Sequence, residues 1–201
     1  MQNVTEETSN PFGMNVGGPA VYGYGDANAD FHVIGESPYA HGGAATGVPF
    51  TDSDAGERLQ RVLHDTGLLP EPYSDEPTGE NLFLSYAHPG VTDGPPTAES
   101  FVDAERFLDA ELRAINAHIL LPVGDRALHY CLEEHTSLAS KLPHDAAELH
   151  ARQLRGRGFM VVPVRDPDEW EAGDGERLHG SLRAILESDY RQTKGVATTV
   201  G

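Results

Sequence analysis

The chain has 201 residues, a single cysteine, and 32 acidic against 14 basic residues, for a formal net charge of −18. This length fits one domain with tails, and the apolar runs fall well short of the roughly 20 residues that a membrane-spanning helix needs. One cysteine excludes an intramolecular disulfide and any cysteine-rich zinc or iron–sulfur site built from this chain alone. The start at Met1 has neither a basic nor an apolar segment, so we expect no signal peptide, no membrane association and a cytoplasmic location.

Residues 1–20 lack hydrophobic periodicity and are predicted to form a flexible arm. A short apolar run predicts the first strand at 31–35. Apolar residues at helical spacing then predict a helix that starts after Asp52 or Ser53 and stops before Gly67. The next strand is predicted at 81–87, where a proline and a glycine end it.

The second half of the chain continues this alternation. An apolar stripe predicts a long helix from Phe101 to Ile115, followed by a strand at 119–123 and a helix that begins near Asp125. A strand at 159–164 and a helix at 178–186 complete the series. Residues 191–201 are small and polar and are predicted to be a flexible tail, which leaves a domain at 21–190.

Strands separated by helices predict an α/β fold, a three-layer α/β/α sandwich around a four-stranded, mostly parallel sheet. In open sheets of this kind, ligands bind beyond the carboxyl ends of the strands. The loops that follow the predicted strands therefore become the candidate site, at residues 36–50, 86–96, 124–126 and 165–174.

The loop after the first strand is rich in glycine and exposes backbone N–H groups to a ligand. It is neither a P-loop nor a dinucleotide fingerprint, because the required lysine and glycine spacings are missing. The alternative is a long excursion with no ligand.

The glycine-rich loop contains the motifs Gly35-Glu36-Ser37-Pro38 and Gly47-Val48-Pro49-Phe50, with Ala40-His41-Gly42 between them. The first two resemble the first motif of the uracil-DNA glycosylase superfamily, and the resemblance extends over about residues 22–190. It is closest to the branches that carry an iron–sulfur cluster, and Ala40-His41-Gly42 resembles one such branch. Further matches are Tyr24-Gly25-Asp26, Leu121-Pro122-Val123-Gly124 and Arg155-Gly156-Arg157-Gly158.

The resemblance implies a hydrolase that flips a damaged base out of DNA and cleaves its N-glycosidic bond. Phe50 would stack on the base, although it can also be a plug between loop and sheet. The implied base-binding residues are Gly35, Ser37, Tyr39, Phe50, Ser85 and Tyr86. The candidate catalytic residues are Glu36, His41 and Asp166, with a structural turn as the alternative for Glu36.

The chain departs from the family pattern at the positions of the cluster ligands, the base-reading asparagine and the late histidine. All four cluster cysteines are missing, with Tyr86-Ala87-His88-Pro89 and Ala104 at two of their positions, so we expect no iron–sulfur cluster and no other cofactor. The asparagine that reads uracil aligns with Ser85-Tyr86. The late His-Pro-Ser motif aligns with Asp166-Pro167-Asp168, so its histidine is missing.

Three functional hypotheses therefore remain. The first is a uracil-DNA glycosylase-like enzyme that excises uracil or another deaminated base with altered chemistry. The second is a non-catalytic homologue that binds a base, a nucleotide or DNA. The third is an unrelated α/β protein whose glycine-rich loop binds a small ligand.

The charge pattern bears on a DNA partner. Basic residues comprise 12 arginines but only Lys141 and Lys194, and an acidic, lysine-poor composition is typical of adaptation to high salt, where net charge is screened. The alternative is a specific acidic interaction surface. Residues 149–165 contain no acid, and the predicted DNA-binding residues lie there: Arg152, Arg155, Arg157 and Arg165. A solvated loop is the alternative for this stretch.

Histidines near residue 130 invite a metal interpretation. The His-Glu-x-x-His pattern is absent, and His129 and His135 are six residues apart, a poor spacing for one helical face. The sequence therefore predicts no metal site. Separately, we expect the protein to be a monomer.

Overall fold

The computed structural model describes residues 17–115, 117–156, 158–188 and 190. The predicted tail at 191–201 lies outside the described residues, as does the predicted arm except for residues 17–20. Within the described part of the arm, Ala20 forms an isolated antiparallel bridge with Gly90, so the chain enters the domain next to the end of a strand.

In the part of the chain that the structure describes, the sheet has six strands in the order β1-β3-β2-β4-β6-β5. They are β1 (Tyr24–Gly25), β2 (Phe31–Gly35), β3 (Leu82–Tyr86), β4 (Ile119–Pro122), β5 (Leu154–Arg155) and β6 (Met160–Val161). The inner strands β3, β2, β4 and β6 run parallel, and the edge strands β1 and β5 are antiparallel to their neighbours.

The mostly parallel sheet is confirmed, but the prediction of four strands is wrong. The four predicted strands form its parallel centre, and two edge strands of two residues each extend it. A strand of two residues has no alternation of apolar and polar positions, so the sequence pattern could not reveal it.

Within the described residues, five helices and one 3₁₀ turn surround the sheet. They are α1 (Pro38–His41), α2 (Asp54–Asp65), α3 (Ala98–Ile115), α4 (Asp125–His135), α5 (Asp174–Glu187) and the 3₁₀ turn Pro167–Glu169. In the described part of the chain, no helix has both the length and the apolar character needed to cross a membrane.

The helices cover both faces of the sheet, as predicted for a three-layer sandwich. On one face, α2 and α5 pack through Leu59 and Leu182 against Val33 of β2. On the other face, α3 and α4 pack through Leu108 and Leu128 against the opposite side of the sheet. Successive strand residues alternate between these cores, so neighbouring side chains of one strand enter different environments.

The loop after β6 is fixed by Asp174, the first residue of α5. This carboxylate is fully buried and bonds the guanidinium groups of Arg165 (3.2 Å) and Arg177 and the backbone N–H of Glu171 (2.9 Å). Burial alone raises the pKa of Asp174, but the N–H of Glu171 and the charge of Arg177 together hold the pKa below its ordinary value. The ionised carboxylate thus fastens residues 165–174 to the start of α5.

We expect Asp174→Asn to lower the free energy of unfolding by about 1–3 kcal/mol at neutral pH, because it removes the charge of a buried carboxylate that accepts hydrogen bonds from two arginines and a backbone N–H. The native pKa lies below that of the unfolded chain, so the stabilisation is complete above about pH 4 and disappears as the pH falls through the native pKa. Denaturant unfolding from pH 7 to pH 3 should show the wild type and the variant converging. Glu176→Gln, an exposed change in the same turn, is the matched control. A pH-independent difference would contradict the prediction.

Candidate active site

Three aromatic rings meet at the carboxyl end of β2 because Gly35 has no side chain. A Cβ atom on Gly35 would lie 2.7 Å from Phe50 Cζ, 2.7 Å from Tyr86 Cε1 and 2.8 Å from His41 Nδ1, closer than real Cβ contacts allow. All three rings are buried. Gly35, Phe50, Tyr86 and His41 are called the ring cluster below.

The rings of the cluster pack on one another. His41 stacks on Phe50 with centroids 5.5 Å apart and planes 23° apart, and Phe50 contacts Tyr86 at 5.3 Å. Phe50 has no solvent-exposed surface. In this arrangement His41 covers one face of Phe50, so a base can stack on that face only if His41 moves.

The Tyr86 hydroxyl joins two loop segments. It accepts the N–H of Phe50 at 2.7 Å and donates to the carbonyl oxygen of Gly42 at 2.9 Å. Burial raises the pKa of Tyr86, so the hydroxyl remains a donor at any physiological pH. Tyr86 of β3 therefore holds the middle and the end of the glycine-rich loop 36–50 through one oxygen.

Phe50 itself has a positive φ of 58°, which is uncommon for a bulky residue. Its N–H is held by Tyr86, and its carbonyl oxygen accepts a hydrogen bond from Gln60 Nε2 at 2.7 Å. The sequence interpretation did not single out Gln60. The only feature of the sequence that points to Gln60 is its polar side chain on the buried side of α2, beside Leu59.

His41 and Asp166 form a contact between distant parts of the chain. His41 Nδ1 accepts the N–H of Glu36 at 3.1 Å, which assigns the proton of the neutral ring to Nε2. His41 Nε2 lies 3.4 Å from Asp166 Oδ2. The ring is thus oriented by its own turn and presents Nε2 to the carboxylate.

Asp166 is the member of this pair that reaches solvent, with 31% of its side chain exposed. Its Oδ1 accepts the N–H of Asp168 at 3.0 Å at the start of the 3₁₀ turn. Partial burial raises the pKa of Asp166, but His41 and the Asp168 N–H lower it more, so the pKa lies below its ordinary value. Asp166 is therefore an ionised, accessible carboxylate that can accept a proton or orient a water molecule.

Glu36 and Ser37 follow Gly35 but use their side chains locally. Glu36 Oε1 accepts the N–H of Arg126 at 2.9 Å, so the carboxylate caps the first turn of α4. Ser37 is the N-cap of α1 and accepts the N–H of Ala40 at 3.3 Å. Tyr39, in contrast, is 54% exposed beside the ring cluster.

Ser85 does not join the ring cluster. It precedes Tyr86 in β3, so its side chain enters the opposite core, where Ser85 Oγ lies 2.7 Å from His32 Nε2. His32 Nε2 also lies 3.4 Å from Glu111 Oε1. The sheet separates this polar group from Phe50.

The predicted DNA-binding arginines that lie within the described residues differ in their surroundings. Arg165 is paired with Asp174 and Glu171, whereas Arg152 and Arg155 are exposed. Arg155 lies opposite Met160 at the amino end of β6, away from the ring cluster, and Arg157 lies outside the described residues.

A different arginine lies next to Asp166. The exposed Arg58 of α2 donates from Nη1 to the carbonyl oxygen of Pro167 at 2.7 Å. It lies outside the acid-free stretch, so the charge pattern gave no signal for it.

The residues present do not fit an iron–sulfur cluster. Ala104, which stands at one cluster-ligand position of the resemblance, lines a cavity of about 560 Å³ together with Gly17 and with His88, which belongs to the stretch that lacks the third cysteine. The chain's one thiol, Cys131, is fully buried on α4 in the other core, and burial raises its pKa. Thiolate ligands for a cluster are therefore lacking.

Comparison with known proteins gives one consistent result. A family model described as "Uracil DNA glycosylase superfamily" matches residues 22–177. The chain is 33% identical over 168 residues to a type-5 uracil-DNA glycosylase of Pyrobaculum aerophilum, covering 81% of this chain and 72% of the relative. Relatives with the same description match at 34% identity in Thermus thermophilus and 33% in Mycobacterium tuberculosis, where the chain covers 53% and 40% of the relative's length.

We expect Gly35→Ala to lower the free energy of unfolding by about 1–3 kcal/mol, because the added methyl group overpacks the ring cluster. Gly180→Ala, where an added Cβ meets nothing within 4 Å on α5, should instead stabilise the protein by about 0.5–1 kcal/mol. Chemical denaturation of both variants measures the contrast. Equal stabilities for the two variants would show that the rings accommodate the methyl group.

Proposed function

Because this chain belongs to the uracil-DNA glycosylase superfamily, we propose that it removes uracil or another deaminated base from DNA by hydrolysing the N-glycosidic bond. The observation that carries the proposal is the accessible, ionised Asp166 held against His41 at the carboxyl edge of the sheet. This is the edge at which open α/β sheets bind ligands.

The proposed reaction uses Asp166 as general base. A water molecule attacks C1′ of the deoxyribose, the C1′–N bond breaks with its electron pair going to the base, and Asp166 accepts the proton of the water. His41 acts as a positioning residue, because its Nε2 faces the carboxylate and its Nδ1 is fixed by Glu36. The anionic base then leaves and is protonated by solvent.

Base recognition in this proposal involves movement of the ring cluster. Tyr39 is exposed beside the cluster and offers a ring to an incoming base. Displacement of His41 from Phe50 would open a second stacking surface between the loop and the sheet. Arg58 and Arg152 are the exposed cations proposed to contact the DNA phosphates.

A second candidate is a non-catalytic homologue that binds a base, a nucleotide or DNA. The complete burial of Phe50 under His41 favours it, because the family's stacking surface is covered. The use of the Glu36 carboxylate as a helix cap favours it as well. This candidate predicts binding without cleavage.

We further propose that the protein works without an iron–sulfur cluster, as a monomer in a cytoplasm of high salt. The single cysteine supports the absence of a cluster, and the acidic, lysine-poor composition supports a cytoplasm of high salt.

Asp166→Asn should reduce base excision by about 100-fold or more, the usual contribution of a general base. The matched control is Asp168→Asn, which removes an exposed carboxylate from the same turn and keeps the backbone N–H that bonds Asp166. Oligonucleotides with uracil, hypoxanthine or xanthine are incubated with each protein in multi-molar KCl, and abasic sites are counted after alkali cleavage.

Equal activity of Asp166→Asn and wild type would contradict the role of Asp166. Absence of abasic product with wild type on all three substrates, together with retained DNA binding, would favour the non-catalytic homologue.

His41→Asn should shift the acid limb of the pH–rate profile to higher pH. His41 holds the pKa of Asp166 down, and a general base is active only when ionised, so a higher pKa requires a higher pH. Single-turnover rates normalised to their maximum are independent of the active fraction of the variant. A reduced rate with an unmoved limb would show that His41 acts by some other route.

A further inference from the structure

Three side chains of the types that ligate metal ions converge where α4 meets the segment 136–150. His129 and Glu133 are one turn apart on α4, and His144 approaches them from the segment. One ligand atom from each of the three residues lies within 4.8 Å of the other two. Residues four apart share a helix face, so the sequence-based argument from His129 and His135 tested the wrong pair.

The hydrogen bonds of His144 show which of its two ring nitrogens has a lone pair for a metal ion. His144 Nε2 lies 3.0 Å from the carbonyl oxygen of Ala139, which can only accept, so Nε2 carries the proton and Nδ1 has the lone pair. That Nδ1 faces Nδ1 of His129 at 2.6 Å. Metal-ligating histidines typically donate their other N–H to a backbone carbonyl in this way.

We propose that His129, Glu133 and His144 form a site for a divalent transition-metal ion of the Zn²⁺ class. Two imidazoles and one carboxylate suit zinc, whereas magnesium and calcium prefer oxygen ligands alone. Two nitrogens bound at about 2.0–2.1 Å in a tetrahedral site lie about 3.3 Å apart, so the histidines need to separate by less than about 1 Å. Three protein ligands leave the fourth position to water.

The proposed metal site lies beside a cavity. His129 and His144 form part of the wall of a cavity of about 440 Å³ whose other lining includes Phe101, Val102 and Tyr130. The open metal position thus adjoins an apolar cavity. The ion also ties the segment 136–150 to α4, on the face of the sheet opposite the ring cluster.

Zinc titration of the untagged, chelator-treated full chain tests the proposal. In competition with a chromogenic chelator, we expect one equivalent of Zn²⁺ per chain and an affinity at least about tenfold lower in His129→Ala and His144→Ala. Glu133→Gln should weaken binding, whereas Glu134→Gln, the adjacent exposed carboxylate, should leave it unchanged. Excess Mg²⁺ should not displace the zinc.

Stoichiometric zinc binding that survives in the His129→Ala/His144→Ala double variant would overturn the proposal, as would the lack of saturable binding in wild type. The variants are compared by circular dichroism and thermal midpoint without metal, so that loss of the fold is not mistaken for loss of the ligands. Glycosylase activity plays no part in the readout, and the result therefore does not depend on the proposed function.

Discussion

The missing side chain of Gly35 is the constraint on which the candidate site depends. It lets β2 end against three rings, and each ring then fixes another part of the chain. Tyr86 holds the backbones of Phe50 and Gly42, and His41 joins the turn after β2 to Asp166. Residues from three separate loops are thereby assembled at one edge of the sheet.

The acidic residues of this chain fall into two populations. Most are exposed and account for the net charge of −18, which salt screens. A few have defined structural partners: Glu36 caps a helix, Asp174 holds two arginines, and Asp166 contacts His41. Composition describes the first population, and only the fold reveals the second.

The sequence was sufficient to predict the parallel centre of the sheet and its helical layers. Buried strands are continuous apolar runs, and the helices show apolar residues at helical spacing. It was insufficient for the contact between His41 and Asp166, since nothing local links residues so distant in the chain. Ser85 is a different case: the period of two along β3 already implies that Ser85 and Tyr86 face opposite cores. The helix-capping role of Glu36 depends on the position of α4, which no local pattern encodes.

The shortness of the two edge strands affects how readily the sheet can pair with strands of other proteins in a crowded cell. Long, flat edges with free N–H and C=O groups recruit strands from other chains and start aggregation. Here β1 and β5 turn antiparallel and end after two residues, and β5 carries the exposed charge of Arg155. Within the described part of the sheet, both borders therefore offer a foreign strand little backbone with which to pair.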